Sequence, residues 1–574
     1  MTFALMMTLA LMAADETPAT SAAAVKAPVA QFVDIPALVD QAERSYLVQR
    51  WDRAIEGFQQ ATEANPTVGY LWWRLGTCQL MAGKYEDAIP SLTKARELGV
   101  YQWRPLRMAY RGEIAWGIAA AHARLGRNDE AVKWTRVSLD EGLRDIRKFH
   151  ERHFDELLKD DAFRKLVWAD RGQKLDRDEG FRHDLRYMLH EAKRIHYAPF
   201  RITSEEEFDS LAAQLESDIP RLSDDEILVR FKQILVRLGD GHTNIRPSDP
   251  PGWLGVMFFE FPEGVYIDAA ITEHADLVGA KVLKIGNRSI DESLELARGI
   301  TSRDNEQNVK MIAPHLLESK TLLSGLGIHQ GDGPVPLVIE DAAGKQRNVE
   351  LSFVKGQVPT KNIARSVPGC DKPLPKYWEA RHKMYWFESR PDEGLVYCQI
   401  NGIGNDSAEP FAKFCGRLFE AVEQPGIDGL VIDLRHNGGG DTFTNVPLLE
   451  GIIRCDKLQE PGKLFLIIGR RTFSAAQNTT SDLERRTKAI LVGEPTGSNP
   501  NFIGESIAIP LPHSGWVMSL SDLWWQHSMA MDYRVWTHPQ LYAPPTAAAL
   551  REHRDVAMEA IGAYRAKKAV GGRP

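Results

Sequence analysis

Two short segments of the chain carry residue types that could form a nucleophile and an anion-binding loop. An apolar run over 430–434 is followed by the three glycines Gly438 to Gly440, and a second run over 464–468 is followed by Ser474. Short apolar runs are typical of buried parallel strands, and glycine lets a ligand approach the backbone closely. A serine between such a strand and a helix is well placed as a nucleophile, because the free N–H groups there can bind an oxyanion. A tight loop with a helix-capping serine is the alternative.

The order of the motifs favours the catalytic interpretation. The series Asp-Leu-Arg-x-Asn-Gly-Gly-Gly over 433–440 comes first, Ser474 follows between small residues, and Val-Gly-Glu-Pro-Thr-Gly occupies 492–497. This series resembles the tail-specific (C-terminal processing) serine peptidases, and within them the tricorn-core and retinoid-binding-protein-like branch, over residues 181–545. The resemblance implies hydrolysis of protein or peptide substrates through an acyl-enzyme, without a metal or cofactor. Asp433 and Arg435 are interpreted as a structural pair that shapes the loop.

The base that activates the serine is expected to be a histidine. Serine needs an adjacent base, and the only lysine between Ser474 and Lys567 is Lys488, which precedes the Val-Gly-Glu motif. The segment Gly-Asp-Gly-His-Thr around His242 resembles the one that delivers the catalytic histidine in the tricorn-like branch. His436, beside the glycine loop, is the second candidate, and a lone histidine at a helix end is otherwise structural.

An acid and an oxyanion hole complete the predicted site. A histidine base needs an acid that fixes its tautomer, and in the tricorn-like branch this acid lies downstream of the serine, where Asp532 stands although relatives often carry glutamate. Glu505 is the alternative, and either carboxylate could instead be an ion-pair partner. The oxyanion would be bound by the N–H of Ala475 together with that of Gly438 or Gly439.

The N-terminal third contains a repeat with a period of 34 residues. Trp51 and Ala54 recur as Tyr85 and Ala88 in matching helical patterns. This period is typical of tetratricopeptide repeats, with a generic helical bundle as the alternative. Such arrays usually bind peptides or proteins on one face, so a protein partner is expected there.

The rest of the chain alternates β-rich and mixed segments. Strand-like alternation covers 254–354, and the turn and strand over 279–287 resemble those of a PDZ-like module, which accepts peptide ends by strand addition. A generic β-rich insert is the alternative. From residue 394 strands and helices alternate, which indicates a layered βαβ core. For this core the resemblance implies a ClpP/crotonase-like fold.

The sequence therefore predicts a multidomain protein of α and α/β class. The predicted segments, in chain order, are a signal peptide over 1–14, a linker over 15–34, tetratricopeptide-like helical repeats over 35–168, a small helical lobe carrying His242 over 180–250, a PDZ-like module over 253–356, a linker over 357–393, a ClpP/crotonase-like catalytic core over 394–545, and a C-terminal helix and tail over 546–574.

Composition excludes several function classes. The net charge of −8 and the lack of a long Lys/Arg run argue against a nucleic-acid partner. No apolar stretch reaches the roughly 18 residues of a transmembrane helix. The five scattered cysteines indicate neither a zinc site nor a disulfide framework, and no His-Glu-x-x-His motif is present.

The first residues predict export. An apolar run over 3–12 is followed by Ala13 and Ala14, as in a secretory signal, although the first positive residue is Lys26. A periplasmic or extracellular location is expected, with the cytoplasm as the alternative. A second functional hypothesis is an inactive peptide- or ligand-binding protein that uses the repeats and the PDZ-like module. The presence of both Ser474 and His242 counts against it.

Overall fold

The computed structural model describes residues 33–102, 107–108, 111–169, 175–249, 252–356 and 358–570. The predicted signal segment and most of the linker after it lie outside the described residues. The chain divides into two compact units, Met1–Thr135 and Arg136–Pro574. None of the helices within the described residues combines the length and the apolar character that a membrane-spanning helix requires.

The first unit consists of paired helices with one short hairpin. Ala54 and Ala88, at equivalent positions of the repeat, are fully buried. A Cβ on Gly76 would lie 2.7 Å from Leu92, so close helix packing requires a glycine at this position. The elements of this region are α1 (Ile35–Leu47), α2 (Trp51–Ala64), α3 (Gly69–Met81), α4 (Tyr85–Leu98), β1 (Tyr101–Gln102), β2 (Arg107–Met108), α5 (Arg111–Arg124) and α6 (Asn128–Asp140), which runs across the boundary.

The second unit begins with a small helical lobe. It contains α7 (Asp161–Leu166), α8 (Arg177–Ile195), α9 (Glu205–Asp218) and α10 (Asp224–Leu235). A capping box of Ser223 and Glu226 starts α10. After one further 3-10 turn the chain reverses at Gly239, whose φ of +75° suits glycine. The tight turn that follows carries His242 and leads into β3 (Asn244–Arg246).

A β-rich region follows. Its seven-stranded sheet has the order β10-β5-β6-β8-β9, with β4 added to β5 and β7 to β6. Three helices separate β7 from β8. The elements are β4 (Val256–Phe261), β5 (Gly264–Ile271), β6 (Lys281–Ile285), β7 (Arg288–Ser289), α11 (Ile290–Arg298), α12 (Glu306–Leu316), α13 (Lys320–Gly325), β8 (Val335–Glu340), β9 (Gln346–Leu351) and β10 (Ile363–Ala364).

A large apolar core surrounds a six-stranded sheet in the order β11-β12-β13-β14-β15-β18, in which only β11 is antiparallel to its neighbour. Buried apolar residues cover both faces, as expected for a parallel sheet between helices. Its strands are β11 (Tyr385–Arg390), β12 (Leu395–Ile400), β13 (Gly429–Asp433), β14 (Leu464–Ile468), β15 (Ile490–Gly493) and β18 (Leu541–Tyr542). The helices of this part of the chain are α14 (Lys376–Glu379), α15 (Phe411–Val422), α16 (Val446–Arg454), α17 (Ala475–Arg486), α18 (Ala547–Arg551) and α19 (Val556–Val570).

A third sheet joins the helical lobe to the parallel core. It contains β16 (Asn501–Pro510), β17 (Val517–Gln526) and β3, in that order. Ile245 of β3 pairs with Met518 of β17. Because β3 directly follows the turn with His242, this pairing holds that turn against the segment that follows α17. The coarse prediction of helical repeats followed by a mixed α/β region is therefore confirmed.

Candidate active site

Ser474 occupies a strained turn between β14 and α17. Its φ of +53° and ψ of −124° are rare for a residue with a side chain. Such a backbone costs on the order of 1–3 kcal/mol and clusters at functional sites. Although Ser474 immediately precedes the helix, its hydroxyl accepts no capping hydrogen bond from it. The alternative of a helix-capping serine is therefore not supported.

The glycine loop after β13 packs directly against this turn. A Cβ on Gly439 would lie 2.7 Å from Ser474 Cβ and 3.0 Å from the backbone nitrogen of Ala475. The φ of Gly439 is +112°, which only glycine adopts readily. The predicted structural pair at the strand end is confirmed, since Arg435 Nε lies 2.8 Å from an oxygen of the buried Asp433.

The two glycines proposed for the oxyanion hole differ in the hydrogen bonding of their N–H groups. The N–H of Gly439 donates to Asn437 Oδ1 at 2.9 Å, so this N–H is already occupied. The N–H groups of Gly438 and Ala475 have no hydrogen-bond partner among the described residues. Ala475 directly follows Ser474, and Gly438 directly precedes Gly439, which packs against the Ser474 turn. The free N–H of Gly438 therefore favours Gly438 over Gly439 as the second oxyanion donor.

His242 lies beside the residue that precedes the serine. Its ring centroid is 4.5 Å from that of Phe473, and it stacks on Phe502 at 5.5 Å with an interplanar angle of 8°. The turn is held by Asp240, whose Oδ1 accepts the N–H groups of His242 and Thr243 at 2.9 and 2.7 Å. The tertiary structure thus brings the predicted base to the predicted nucleophile's loop.

The environment of His242 keeps its imidazole neutral. Burial lowers the pKa of His242 to about 4, although the Asp240 carboxylate and the backbone of Ile503 oppose this shift. Neither ring nitrogen makes a full hydrogen bond to the described residues. A neutral imidazole with free nitrogens is the form in which a histidine can take a proton.

His436, the second candidate base, lies in different surroundings. Its ring contacts Trp378 at 4.6 Å and Tyr377 at 5.5 Å. Burial, together with nearby guanidinium groups such as that of Arg381, lowers the pKa of His436 well below its usual range. His436 borders a cavity lined by these residues, whereas the rings that contact His242 include the neighbour of Ser474.

The two predicted acids have other contacts. Asp532 accepts hydrogen bonds from Ser528 Oγ at 2.6 Å and from Arg534 Nε at 2.9 Å, and chiefly Arg534 lowers the pKa of Asp532 to about 2. Glu505 is exposed in β16, with a φ of +57°. Neither carboxylate contacts His242 among the described contacts. Their role as the orienting acid stays a prediction.

A buried carboxyl group that the sequence analysis did not identify lies against the turn that carries His242. Asp304 accepts the N–H of Gly241 at 2.7 Å, directly before His242. Burial and the nearby Asp240 raise the pKa of Asp304 to about 7, and Ser498 opposes the shift. The Ser498 hydroxyl in turn accepts the N–H of Ser474 at 3.1 Å.

In the sequence, Asp304 precedes Asn305 at the start of α12, where helix capping is the ordinary interpretation. No local signal distinguishes it from a capping residue.

Among the residues that the structure describes, no group of three or more His, Cys, Asp or Glu side chains is placed to hold a metal ion. The arrangement combines a strained serine, two free N–H groups and a neutral histidine, which a serine-hydrolase site requires together with an orienting acid.

Comparisons with known proteins agree with the sequence motifs. Residues 42–99 match the family model of the tetratricopeptide repeat. The chain is also similar to the tail-specific protease of Haemophilus influenzae, with 24% identity over 270 residues that cover 40% of this chain and 38% of that relative. The chain thus spans less than half the length of the curated relative it matches. The predicted resemblance to tail-specific peptidases, with an N-terminal repeat region, is confirmed by these matches.

Solved structures with a similar chain path include two proteases. Mature CPAF complexed with lactacystin has 14% identity and a TM-score of 0.49, covering 68% of this chain and 98% of that one. The photosystem II D1 C-terminal processing protease has 13% identity and a TM-score of 0.35, covering 67% of this chain and 96% of that one.

Proposed function

We propose that this chain is a serine peptidase that cleaves protein or peptide substrates through an acyl-enzyme formed on Ser474. The observation that carries the proposal is the strained, uncapped backbone of Ser474 between the glycine loop and the neutral His242. A strained residue is retained in a fold when the surroundings enforce it, and such residues cluster where chemistry needs an exposed group.

The proposed reaction begins with proton transfer from Ser474 Oγ to the imidazole of His242 as the oxygen attacks the peptide carbonyl carbon. The carbonyl oxygen becomes an oxyanion, which accepts hydrogen bonds from the N–H groups of Ala475 and Gly438. When the C–N bond breaks, the imidazolium returns the proton to the leaving amine. Water, activated by the same imidazole, then hydrolyses the ester and releases the serine.

Asp532 is proposed as the acid that orients His242, with Glu505 as the alternative. Asp532 is held by Arg534, so the acid role requires Asp532 to exchange this ion pair for the imidazole when substrate binds. Catalytic contacts are often incomplete without substrate. Asp240 is better described as a positioning residue, since its Oδ1 holds the backbone of the turn and its Oδ2 lies 2.9 Å from His196 Nε2.

The finer domain assignments are part of the proposal. We propose a ClpP/crotonase-like fold for the core over 394–545 and a PDZ-like role in peptide binding for the β-rich region over 253–356. The repeats over 35–168 are proposed to bind a protein partner. Export to the periplasm or beyond is proposed from the apolar run over 3–12.

Labelling with a serine-directed fluorophosphonate tests the nucleophile. Wild-type protein should be labelled at Ser474 and should hydrolyse a peptide substrate. Ser474→Ala should lose both signals with little change in Tm, because the substituted side chain makes no capping contact. Ser407→Ala, at an exposed serine, is the matched control and should behave as wild type. Full activity of Ser474→Ala would refute the mechanism, and an unlabelled, inactive wild type would favour the binding-protein hypothesis.

A further inference from the structure

Three arginines line a second cavity whose function the peptidase mechanism leaves unexplained. Arg365, Arg381 and Arg471 border a cavity with a volume of about 630 Å³, in which Glu318 is the only lining carboxylate among the described residues. The arginines come from three separate segments of the chain. Arg471 belongs to the loop between β14 and α17, Arg381 follows α14, and Arg365 follows β10.

Two of these guanidinium groups share one aromatic platform. The Cζ atom of Arg365 lies 4.0 Å from the centroid of the Trp378 ring, and that of Arg381 lies 5.0 Å from the same centroid. Stacking on an indole fixes the plane of a guanidinium group while leaving its N–H donors free at the edges. Arg381 is thereby positioned without a side-chain hydrogen bond to the described residues, whereas Arg365 also reaches Asp268 at 3.5 Å.

Two of the three cavity arginines lack the partners that the neighbouring Arg470 and Arg435 have. Within the described residues, the side chains of Arg381 and Arg471 make no hydrogen bond or ion pair. By contrast, Arg470, the next residue in the chain, pairs with Glu494 at 2.8 Å. Arg435 pairs with both Asp433 and Asp555. Arg381 and Arg471 therefore bring two guanidinium groups to this cavity without a carboxylate partner among the described residues.

The charges around the cavity do not balance. Arg365 has one carboxylate within reach, Asp268, at 3.5 Å. The lining carboxylate Glu318 is already paired with His315 at 2.7 Å, so this pair adds no net charge when both groups ionise. Three guanidinium groups against one free carboxylate leave an excess of two positive charges.

This excess is costly in a half-buried site. Charged groups removed from water require an opposite charge or a full set of hydrogen bonds. Burial and repulsion by Arg365 and Arg471 lower the pKa of Arg381 to about 9, which indicates how unfavourably this cation is placed in the absence of an anion. A ligand with two negative charges would neutralise the site.

We propose that this cavity binds a small dianionic ligand through oxygen atoms, with a phosphate group or a dicarboxylate as the shared chemistry. Arginine donors form paired hydrogen bonds with both kinds of group. The cavity volume lies within the range of about 300–1,000 Å³ that small-molecule sites occupy. The cavity lining does not include Ser474 or His242, so dianion binding can be tested independently of the proposed peptidase activity.

Isothermal titration calorimetry on the full chain tests the proposal with inorganic phosphate and succinate as probes and acetate as the monoanionic reference, at constant ionic strength. One molecule of at least one dianion should bind per chain, at least about tenfold more tightly than acetate, because a second charge engages a second arginine. Tighter binding of phosphate than of succinate would indicate that the ligand carries a phosphate group, and the reverse order would indicate a dicarboxylate. The same result is expected with Ser474→Ala.

Arg381→Gln and Arg471→Gln should each weaken dianion binding by at least about tenfold. Arg417→Gln, at an exposed arginine paired with Glu409, is the matched control and should bind as wild type. Both cavity variants should retain or raise the Tm of the unliganded protein, since each removes an unpaired cation, so a loss of binding cannot be ascribed to unfolding. Equal binding of acetate and both dianions, or unchanged affinity in both cavity variants, would overturn the proposal.

Discussion

Replacing Phe502 by alanine should raise the pKa of His242 and move the acidic limb of the pH–activity profile upward. Phe502 stacks on one face of the imidazole, and Phe473 contacts the ring as well. Together they exclude water from the imidazolium form, which is the main reason for the low pKa of His242. Removing the Phe502 ring opens the stacked face to solvent.

The expected rise in the pKa of His242 is limited by how far burial has lowered this pKa. Burial holds the pKa of His242 at about 4, against an ordinary value of 6.5. Full hydration would therefore raise it by at most about 2.5 units, or on the order of 3 kcal/mol. Because Phe473 remains in place, a rise of about one unit or more is expected. At pH 5 the neutral fraction of His242 should then fall from about nine tenths to about one half or less.

Two measurements check this prediction. The acidic limb of kcat/KM against pH reports the free enzyme's base, and activity should rise with pH through a lower pKa in wild type than in Phe502→Ala. Titration of the His242 Cε1 proton by NMR gives the same pKa without requiring activity. Phe387→Ala, which removes a partly buried ring elsewhere in the core, is the control and should not move the limb. An acidic limb near pH 6.5 in wild type, or identical limbs in wild type and Phe502→Ala, would refute the reasoning.

Three further predictions concern the same site. Gly439→Ala should lower kcat/KM by at least about a hundredfold, because its Cβ would lie 2.7 Å from Ser474 Cβ; a near-normal rate would contradict the proposed packing. The raised pKa of Asp304, about 7 against 3.8, means that its contribution to stability is present below pH 3.8 and is lost as pH rises through 7. In urea unfolding, wild type should therefore lose up to about 4 kcal/mol relative to Asp304→Asn between pH 4 and 8, and a pH-independent difference would contradict this. Asp532→Asn should lower kcat by orders of magnitude while Glu505→Gln stays near wild type, and the opposite pattern would transfer the acid role.

Short-range patterns in the sequence determined the repeats and the position of the serine turn. Ala54 and Ala88 recur because each repeat packs its helices in the same way, and such packing is visible as a period. Ser474 and the three glycines stand where an apolar strand ends, and strand ends and turns depend on neighbouring residues. The resemblance to tail-specific peptidases rests on these local motifs, so the order of residues along the chain is enough to reveal it.

The choice of His242 as the proposed base required both the motif and the fold. His242 precedes the serine by more than two hundred residues, and only the pairing of β3 with β17 holds its turn against the segment that follows α17. No periodicity in the sequence reports such a pairing, because it joins segments that are distant along the chain. The ring contact with Phe473 is likewise a property of the folded chain.

Only the tertiary structure decided the protonation and the hydrogen-bonding state of the site. Asp304 has a raised pKa because residues from other segments bury it, and the N–H of Gly439 is occupied because Asn437 turns back onto it. Arg381 and Arg435 are the same residue type in the sequence, yet Arg435 forms an ion pair with Asp433 and Arg381 forms none among the described residues. Burial and electrostatic interaction depend on distances in space, and a sequence specifies those distances only through the complete fold.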